Sequence, residues 1–422
     1  MINVLIFPAG TEIGREIYLS LRYEKNINLV LAGADYDSHA RHYTSEYHIV
    51  PDVTHCDWLP TLQALVLQEN INYIFPAHDE ALLALSENRD ALSATVLCPS
   101  QETCQITRFK SKTYQALKHS IPTPQIFNDV TEIEQWPVFV KPDRGQGAQG
   151  ATRVDTPAML ASLQAERDDL IVCEYLSGEE FTVDCFSDRA QGLLFCQPRI
   201  RSRIRAGIAM TSTLVSLPEV DAYARAISQQ LQLYGAWFFQ LKRSTSGTLT
   251  LLEVAPRIAG TMALNRVAGI NFAMLTIYES MQININLLPT FNNIQITRSL
   301  SNKYKHKINF EHVYIDYDDT IVVKNKLCLP IITFLYQCIN HGIKIHLITR
   351  HARNITHELQ QRHIHSIFET INQLNFNDKK SNYIFESNAI FIDDSFSERL
   401  EVSKNKNIPV FDISMIEVLI ES

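Results

Sequence analysis

The chain has 422 residues and a mass of 48.2 kDa, a length that favours about two to four domains over one. Hydrophobic residues make up 45% and charged residues 20%, which excludes dominant disorder and a fibrous repeat. The 38 basic residues are outnumbered by 46 acidic ones, giving a net charge of −8 and a pI near 6.0. Nucleic acid is therefore not an expected partner, although a local basic patch can still hold a small anion.

No apolar run approaches the roughly 20 residues that cross a bilayer, and the N-terminus lacks the basic segment of a signal peptide. The expectation is a cytoplasmic protein with no membrane partner. Eight cysteines are scattered with no CxxC spacing, and they read as small core residues in a reducing compartment. Residues 1–270 contain 8 asparagines and residues 271–422 contain 17, so composition marks the tail as a different module and suggests a fusion.

The run Ile2–Phe7 reads as a strand, followed by a turn with Gly10 and Gly14 and an amphipathic stretch to Leu21. A second strand covers residues 29–32, ahead of Gly33 and Asp35. A third covers residues 73–76, with His78, Asp79 and Glu80 just beyond it. Strands separated by helix-length segments indicate a parallel α/β sheet. Ligands bind such sheets beyond the carboxyl ends of the strands, where Gly10, Asp35 and Asp79 fall. Gly10 and Gly14 lack dinucleotide spacing and read as a tight strand-to-helix turn. Residues 112–120 are expected to be helical, ending at the Pro122 and Pro124 break. A strand-rich region follows at 138–141, 170–174 and 180–186, then a helix at 221–233 and a strand at 248–254. The polar, basic stretch 297–307 reads as a linker, and residues 313–320 open a second strand–helix pattern.

Chemistry concentrates first in residues 138–150. There a strand delivers Lys141 to a loop with Gly145, Gly147 and Gly150. Glycines let backbone N–H groups approach phosphate oxygens, and lysine adds a point charge. Lys110 upstream, the acceptors of residues 174–184, and Glu253 with Arg257 at a strand end agree with a nucleotide site. This ordered set resembles the ATP-grasp superfamily, in its carbamoyl-phosphate-synthetase-like, carboxylate–amine ligase branch, over about residues 1–290. The resemblance implies that Lys110, Lys141 and the loop Gly145–Gly150 contact ATP phosphates. It also implies that Glu174, Tyr175 and Leu176 read adenine, that Glu180 holds the ribose, and that Gln240 and Glu253 ligate Mg2+. Arg257 is then the arginine near the transferring phosphate. The family's asparagine after Glu253 is Ala255 here, which removes one ligating oxygen; a regulatory ATP-binding protein is the alternative this substitution allows. Arg199, Arg201, Arg203 and Arg205 alternate and would share one strand face. By the resemblance, Arg199, Arg201 and Arg205 bind the substrate carboxylate or phosphates.

A second constellation begins at Asp316 and Asp318, just past an apolar strand. Two close carboxylates need a cation or a shared proton. A strand ending in Thr349, then Lys379 and Lys380, then a strand ending in Asp393 and Asp394, complete an order that resembles the haloacid-dehalogenase-like (HAD) superfamily over residues 312–422. The resemblance implies Asp316 as nucleophile and Asp318 as general acid/base. It gives Thr349 to the phosphoryl oxygens, Lys379 or Lys380 to charge neutralisation, and Asp393 or Asp394, with Asp316 and Asp318, to Mg2+. Asp319 stands where a glycine is common. The short span from Thr320 to Thr349 leaves no room for a large cap. Histidines 351, 357, 363 and 365 read as polar surface.

The expected fold is thus α/β and α+β multidomain. It comprises a Rossmann-like pre-ATP-grasp domain (1–100), an ATP-grasp domain (101–296), a linker (297–311) and a HAD-like parallel α/β domain (312–422) without a large cap. The expected function is bifunctional: an ATP-dependent ligase acting on a small-molecule carboxylate and an amine, fused to a Mg2+-dependent phosphatase acting on a phosphorylated small molecule. A scaffolding HAD domain is the alternative for the second part, and a homodimer is compatible with both.

Overall fold

Alternate residues of the run Ile2–Phe7 enter two different cores, which is why the run is apolar throughout rather than alternating. Val4 and Ile6 pack with Ile17, Leu21, Phe272 and Ile277, while Leu5 and Phe7 pack with Leu62, Leu65, Ala81 and Leu85. The structure is a computed structural model and describes residues 1–44, 46–290 and 293–421. It divides into two compact units, Met1–Leu300 and Ser301–Ser422.

The first unit begins with five parallel strands: β1 (Ile2–Phe7), β2 (Ile27–Gly33), β3 (Tyr47–Ile49), β4 (Tyr73–Pro76) and β5 (Thr95–Val96), in spatial order β3-β2-β1-β4-β5. Thr11 caps the first helix, Glu12–Leu21, by accepting from the Gly14 N–H at 2.9 Å. A Cβ on Gly14 would meet the Ala9 carbonyl oxygen at 2.5 Å, so this glycine serves a tight strand-to-helix turn.

Four short antiparallel strands follow: β6 (Ile126–Phe127), β7 (Val138–Pro142), β8 (Thr152–Val154) and β9 (Leu170–Glu174), in order β6-β9-β7-β8. The third sheet holds β10 (Glu180–Asp188), β11 (Gly192–Arg205), β12 (Ile208–Leu214), β13 (Gly235–Arg243), β14 (Leu249–Ala255) and β15 (Gln295–Thr297), in order β14-β13-β10-β11-β12-β15. Its core joins Cys185, Trp237 and Phe239 to Val220, Ala224 and Ile227 of the helix Val220–Gln230.

Three expectations change. The helix expected over 112–120 spans Lys110–Leu117, separated from Gln101–Arg108 by the extended Phe109, so Lys110 opens a helix. The linker expected from 297 begins later, because β15 pairs with β12 through Thr297. The asparagine-rich composition starts inside the first unit, since Phe272, Ala273 and Ile277 lie in the core beneath β1.

The second unit is built on β16 (His312–Ile315), the hairpin β17 (Val322–Val323) and β18 (Lys326–Leu327), then β19 (Lys344–Thr349), β20 (Thr370–Gln373), β21 (Ala389–Ile392) and β22 (Val410–Phe411). The five long-range partners are parallel, in order β20-β19-β16-β21-β22. Val313 and Ile315 face a core with Phe334, Leu335 and Leu347; Tyr314 faces one with Ile348, Phe391 and Val402. Between Thr320 and the start of β19 lie only the hairpin and the helix Leu329–Asn340.

Asp319 sits at φ +53°, a left-handed conformation that costs an L-residue about 1–2 kcal/mol and that glycine adopts freely. Its side chain is exposed. Asp319→Gly should therefore stabilise the second unit by about 1 kcal/mol in urea unfolding. Equal or lower stability would show that the aspartate side chain offsets the backbone cost.

Candidate functional sites

The first unit holds a cavity of about 620 Å³, lined by strands of the second and third sheets and by His78 and Asp79, which follow β4 of the first. Lys141, near the end of β7, is buried there; its Nζ donates to the Tyr114 hydroxyl at 2.7 Å and lies 5.1 Å from that ring. Lys110 Nζ donates to the Gly145 carbonyl at 3.2 Å. Burial holds both lysines below their ordinary values, against the pull of Glu253. A polyanion entering the cavity would supply the charge they lack.

Gly145 and Gly147 line the cavity, and Gly150 lies beside Arg167 at φ +68°. The loop rests on the turn after β11. A Cβ on Gly207 would come 2.2 Å from the Gly147 carbonyl carbon, so glycine is required at that contact. Glu174, Leu176 and Glu180 line the cavity, whereas Tyr175 does not; its ring lies 6.4 Å from Phe139 and under Arg153. Gln240 and Glu253 face each other across β13 and β14 and both line the cavity. The Gln240 oxygen accepts from Arg201 Nη1 at 2.6 Å. Ala255 supplies no polar side-chain atom and packs with Phe238 and Ile258.

The four arginines of β11 do not form one face. Register shifts flank Arg203, turning Arg203 and Arg205 to the exposed side; Arg205 does not line the cavity. Arg199 is buried and bidentate on Asp184, at 2.8 and 3.1 Å, with Asn265 donating to the same carboxylate at 2.9 Å. Arg201 contacts Glu180 as well as Gln240, and its Nε is buried without a partner. Of the four, Arg199 and Arg201 line the cavity.

Arg257 makes a bidentate pair with Asp79, at 2.6 and 2.7 Å, and lies over Phe238. Burial alone would raise the Asp79 carboxyl, but Arg257 outweighs it and holds that carboxyl below its ordinary value. The sequence placed Asp79 at a strand end but could not show its partner 178 residues away. Arg108 was likewise missed: it joins Glu80 and donates to the Gly145 carbonyl at 3.2 Å. His78 contacts Gln146 of the loop at 2.6 Å.

In the second unit, Lys380 Nζ donates at 2.6 Å to both Asp316 and Asp393. Burial pushes the Asp316 carboxyl up to about 7; Lys380 opposes this and Asp393 adds to it. Lys380 itself is raised, because the two carboxylates outweigh its burial. The neighbouring Lys379 is exposed, so Lys380 is the buried lysine of the two. Carboxylate oxygens of Asp316, Asp393 and Asp394 lie within 4.8 Å of one another, a hard-oxygen set suited to Mg2+. Thr349 Oγ1, on the last residue of β19, is buried without a partner.

Asp318 does not join that group. The strand ends at Ile315 and the turn sends the Asp318 carboxylate to His351 Nδ1, at 2.9 and 3.0 Å. His351, expected on the polar surface, is thus mostly buried and its Nε2 has no partner. His363, at φ +57°, and His365, opening a 3-10 turn, lie past the helix Ile355–Gln361.

Residues 166–300 match the family model described as ATP-grasp in the biosynthetic pathway with Ter operon. No curated protein sequence matches the chain. Among solved structures, the biotin carboxylase domain of Hydrogenobacter thermophilus 2-oxoglutarate carboxylase, in complex with MgADP, ADP and bicarbonate, is similar at 17% identity and TM-score 0.55; the match covers 67% of this chain and 70% of that one. L-amino acid ligase from Bacillus licheniformis is similar at 17% identity and TM-score 0.54, covering 67% and 74%. N5-carboxyaminoimidazole ribonucleotide synthetase from Thermotoga maritima is similar at 16% identity and TM-score 0.54, covering 70% and 79%. At such identities the likeness is one of fold. The family model over residues 166–300 supports an ATP-grasp fold for that part of the chain. Among the described residues no helix is long and apolar enough to cross a membrane.

Removing one member of a buried ion pair leaves the other charge uncompensated. Asp79→Ala should therefore cost about 3 kcal/mol in urea unfolding of the first unit. A loss below about 1 kcal/mol would show that water reaches Arg257 and carries its charge.

Proposed function

We propose that the chain is a bifunctional enzyme. Its first unit would be an ATP-dependent ligase that activates a carboxylate as an acyl phosphate for attack by an amine. Its second would be a phosphatase that works through an aspartyl-phosphate. The observation that carries the first assignment is the convergence of Lys110, Lys141, the glycine loop and Glu253 on one cavity, within a chain that matches an ATP-grasp model.

In this reading the substrate carboxylate attacks the γ-phosphorus of ATP and ADP leaves; the amine then attacks the acyl carbon and phosphate leaves. The lysines neutralise the moving phosphoryl group, and the loop N–H groups hold it, so positioning and electrostatics supply most of the catalysis. Glu174 and Leu176 would face adenine and Glu180 the ribose. Arg201, which lines the cavity and is not locked in a bidentate carboxylate pair as Arg199 is, would face a substrate anion. Glu253 and the Gln240 oxygen would hold Mg2+, which often keeps several waters and whose charge would offset that of the phosphates. Ala255 adds no ligand, which favours a second reading in which the unit binds ATP without turnover.

For the second unit, the carrying observation is Lys380 bridging Asp316 and Asp393 beside the unpartnered Thr349 hydroxyl. Asp316 would attack the phosphorus of a phosphorylated small molecule, with Asp318 protonating the leaving oxygen and later taking a proton from the hydrolytic water. Lys380 and Thr349 would hold the phosphoryl oxygens. Asp316, Asp393 and Asp394 would hold Mg2+, which supplies the positive charge that lets these acids ionise together. The Hydrogenobacter domain is described as a dimer, which supports reading this chain as a homodimer.

The two activities separate by mutation. Asp316→Asn should lower p-nitrophenyl phosphate hydrolysis at least about 10³-fold while leaving ATP-dependent ADP release intact, and Glu253→Gln should do the reverse. Hydrolysis unchanged in Asp316→Asn would remove that residue from the nucleophile role.

A further inference from the structure

At the amino-terminal end of the second unit's sheet lies a cluster that neither proposed activity uses. His312 opens β16 and His346 is the third residue of β19. The register sets His312 beside Lys344 and Tyr314 beside His346, so both histidines project from the same face. Asp316 follows the opposite, carboxyl end of β16.

His312 Nδ1 lies 3.0 Å from His346 Nε2, and the rings stack at 5.3 Å. His346 also stacks on Tyr314 at 4.6 Å, and the Tyr314 hydroxyl donates to Glu386. Nitrogen atoms of both histidines and a Glu386 carboxylate oxygen lie within 4.8 Å of one another. His346 is buried, while His312 and Glu386 are half-buried, which leaves one side open to solvent.

We propose that His312, His346 and Glu386 form a binding site for a borderline divalent transition-metal ion such as Zn2+, with water in the fourth position. Two imidazoles and one carboxylate select such an ion over Mg2+. In the binding tautomer, His346 Nδ1–H donates to Thr370 Oγ1, 2.9 Å away, leaving the Nε2 lone pair directed at His312. That outer bond fixes the ring as metal-bound histidines generally require. The ion takes the place of the proton shared between the two rings, and that proton passes to His312 Nε2, so both imidazoles bind as neutral ligands. Zn–N bonds of about 2.0–2.1 Å at a tetrahedral angle put the two nitrogens about 3.3 Å apart, a small opening from the present 3.0 Å. The bound ion would tie the amino ends of β16 and β19 to the segment before β21.

Among the described residues three other groups can take up a divalent ion, the exposed His55–Cys56–Asp57, the set Glu46, His48 and Glu69, and the acids Asp316, Asp393 and Asp394, so the test is differential. The full, untagged chain, stripped with chelator, is titrated with Zn2+ against a chromophoric competitor. Glu386→Gln, a half-buried residue outside the strands, and His312→Ala should each weaken one zinc equivalent at least about 100-fold, and Cys56→Ser should leave it unchanged. Zn2+ should raise the Tm of the wild type but not of Glu386→Gln. Absence of tight zinc uptake by the wild type would overturn the proposal, as would equal uptake by Glu386→Gln, or loss confined to Cys56→Ser. If His312→Ala fails to fold, Glu386→Gln decides alone.

Discussion

Like charges cannot share a buried strand end unless something of opposite sign lies between them, and this constraint shapes both units. Asp316 and Asp393 are buried at the ends of neighbouring strands, and each would repel the other without Lys380. The lysine is held charged by the two acids, which together outweigh its own burial. In the first unit the related need of a buried charge for a partner of opposite sign binds Asp79 to Arg257 and Asp184 to Arg199. Buried ion pairs of this kind add little net stability, but losing one partner is costly, so they hold side chains in one place.

The first unit uses that fixity to arrange a cavity. Asp79 fixes Arg257 from the far side of the chain, and Glu180 and Gln240 orient Arg201. Lys110 and Lys141 are held only by neutral oxygens and keep charge to spare for a ligand. The glycine loop between them closes on another backbone turn at Gly207, where no side chain fits. Rigid pairs and one backbone-to-backbone contact thus surround the segment that must admit and cover a phosphate.

Much of this is legible in the sequence wherever local pattern decides. Ile2–Phe7 is apolar because both faces of a parallel strand are covered, and residues just past such strands, Asp316 and Asp393 among them, are where a site is built. What escapes is partnership over long separations. Nothing near Arg199 signals that Asp184 and Asn265 occupy it, and nothing near Asp318 signals His351. Strict alternation also failed at Arg203 and Arg205, because bulges reset which side of the strand a residue faces. Lys379 and Lys380 look alike until the 3-10 turn buries one of them.

The central claim is that the cavity of the first unit makes an acyl phosphate. The most direct measurement is phosphorus NMR of ATP and Mg2+ with the Asp316→Asn chain, across a panel of small carboxylates, each with amines. One acid-plus-amine combination should yield ADP and inorganic phosphate in equal amounts. Formation of AMP and pyrophosphate would contradict it, as would ATP that binds tightly yet stays intact across the whole panel.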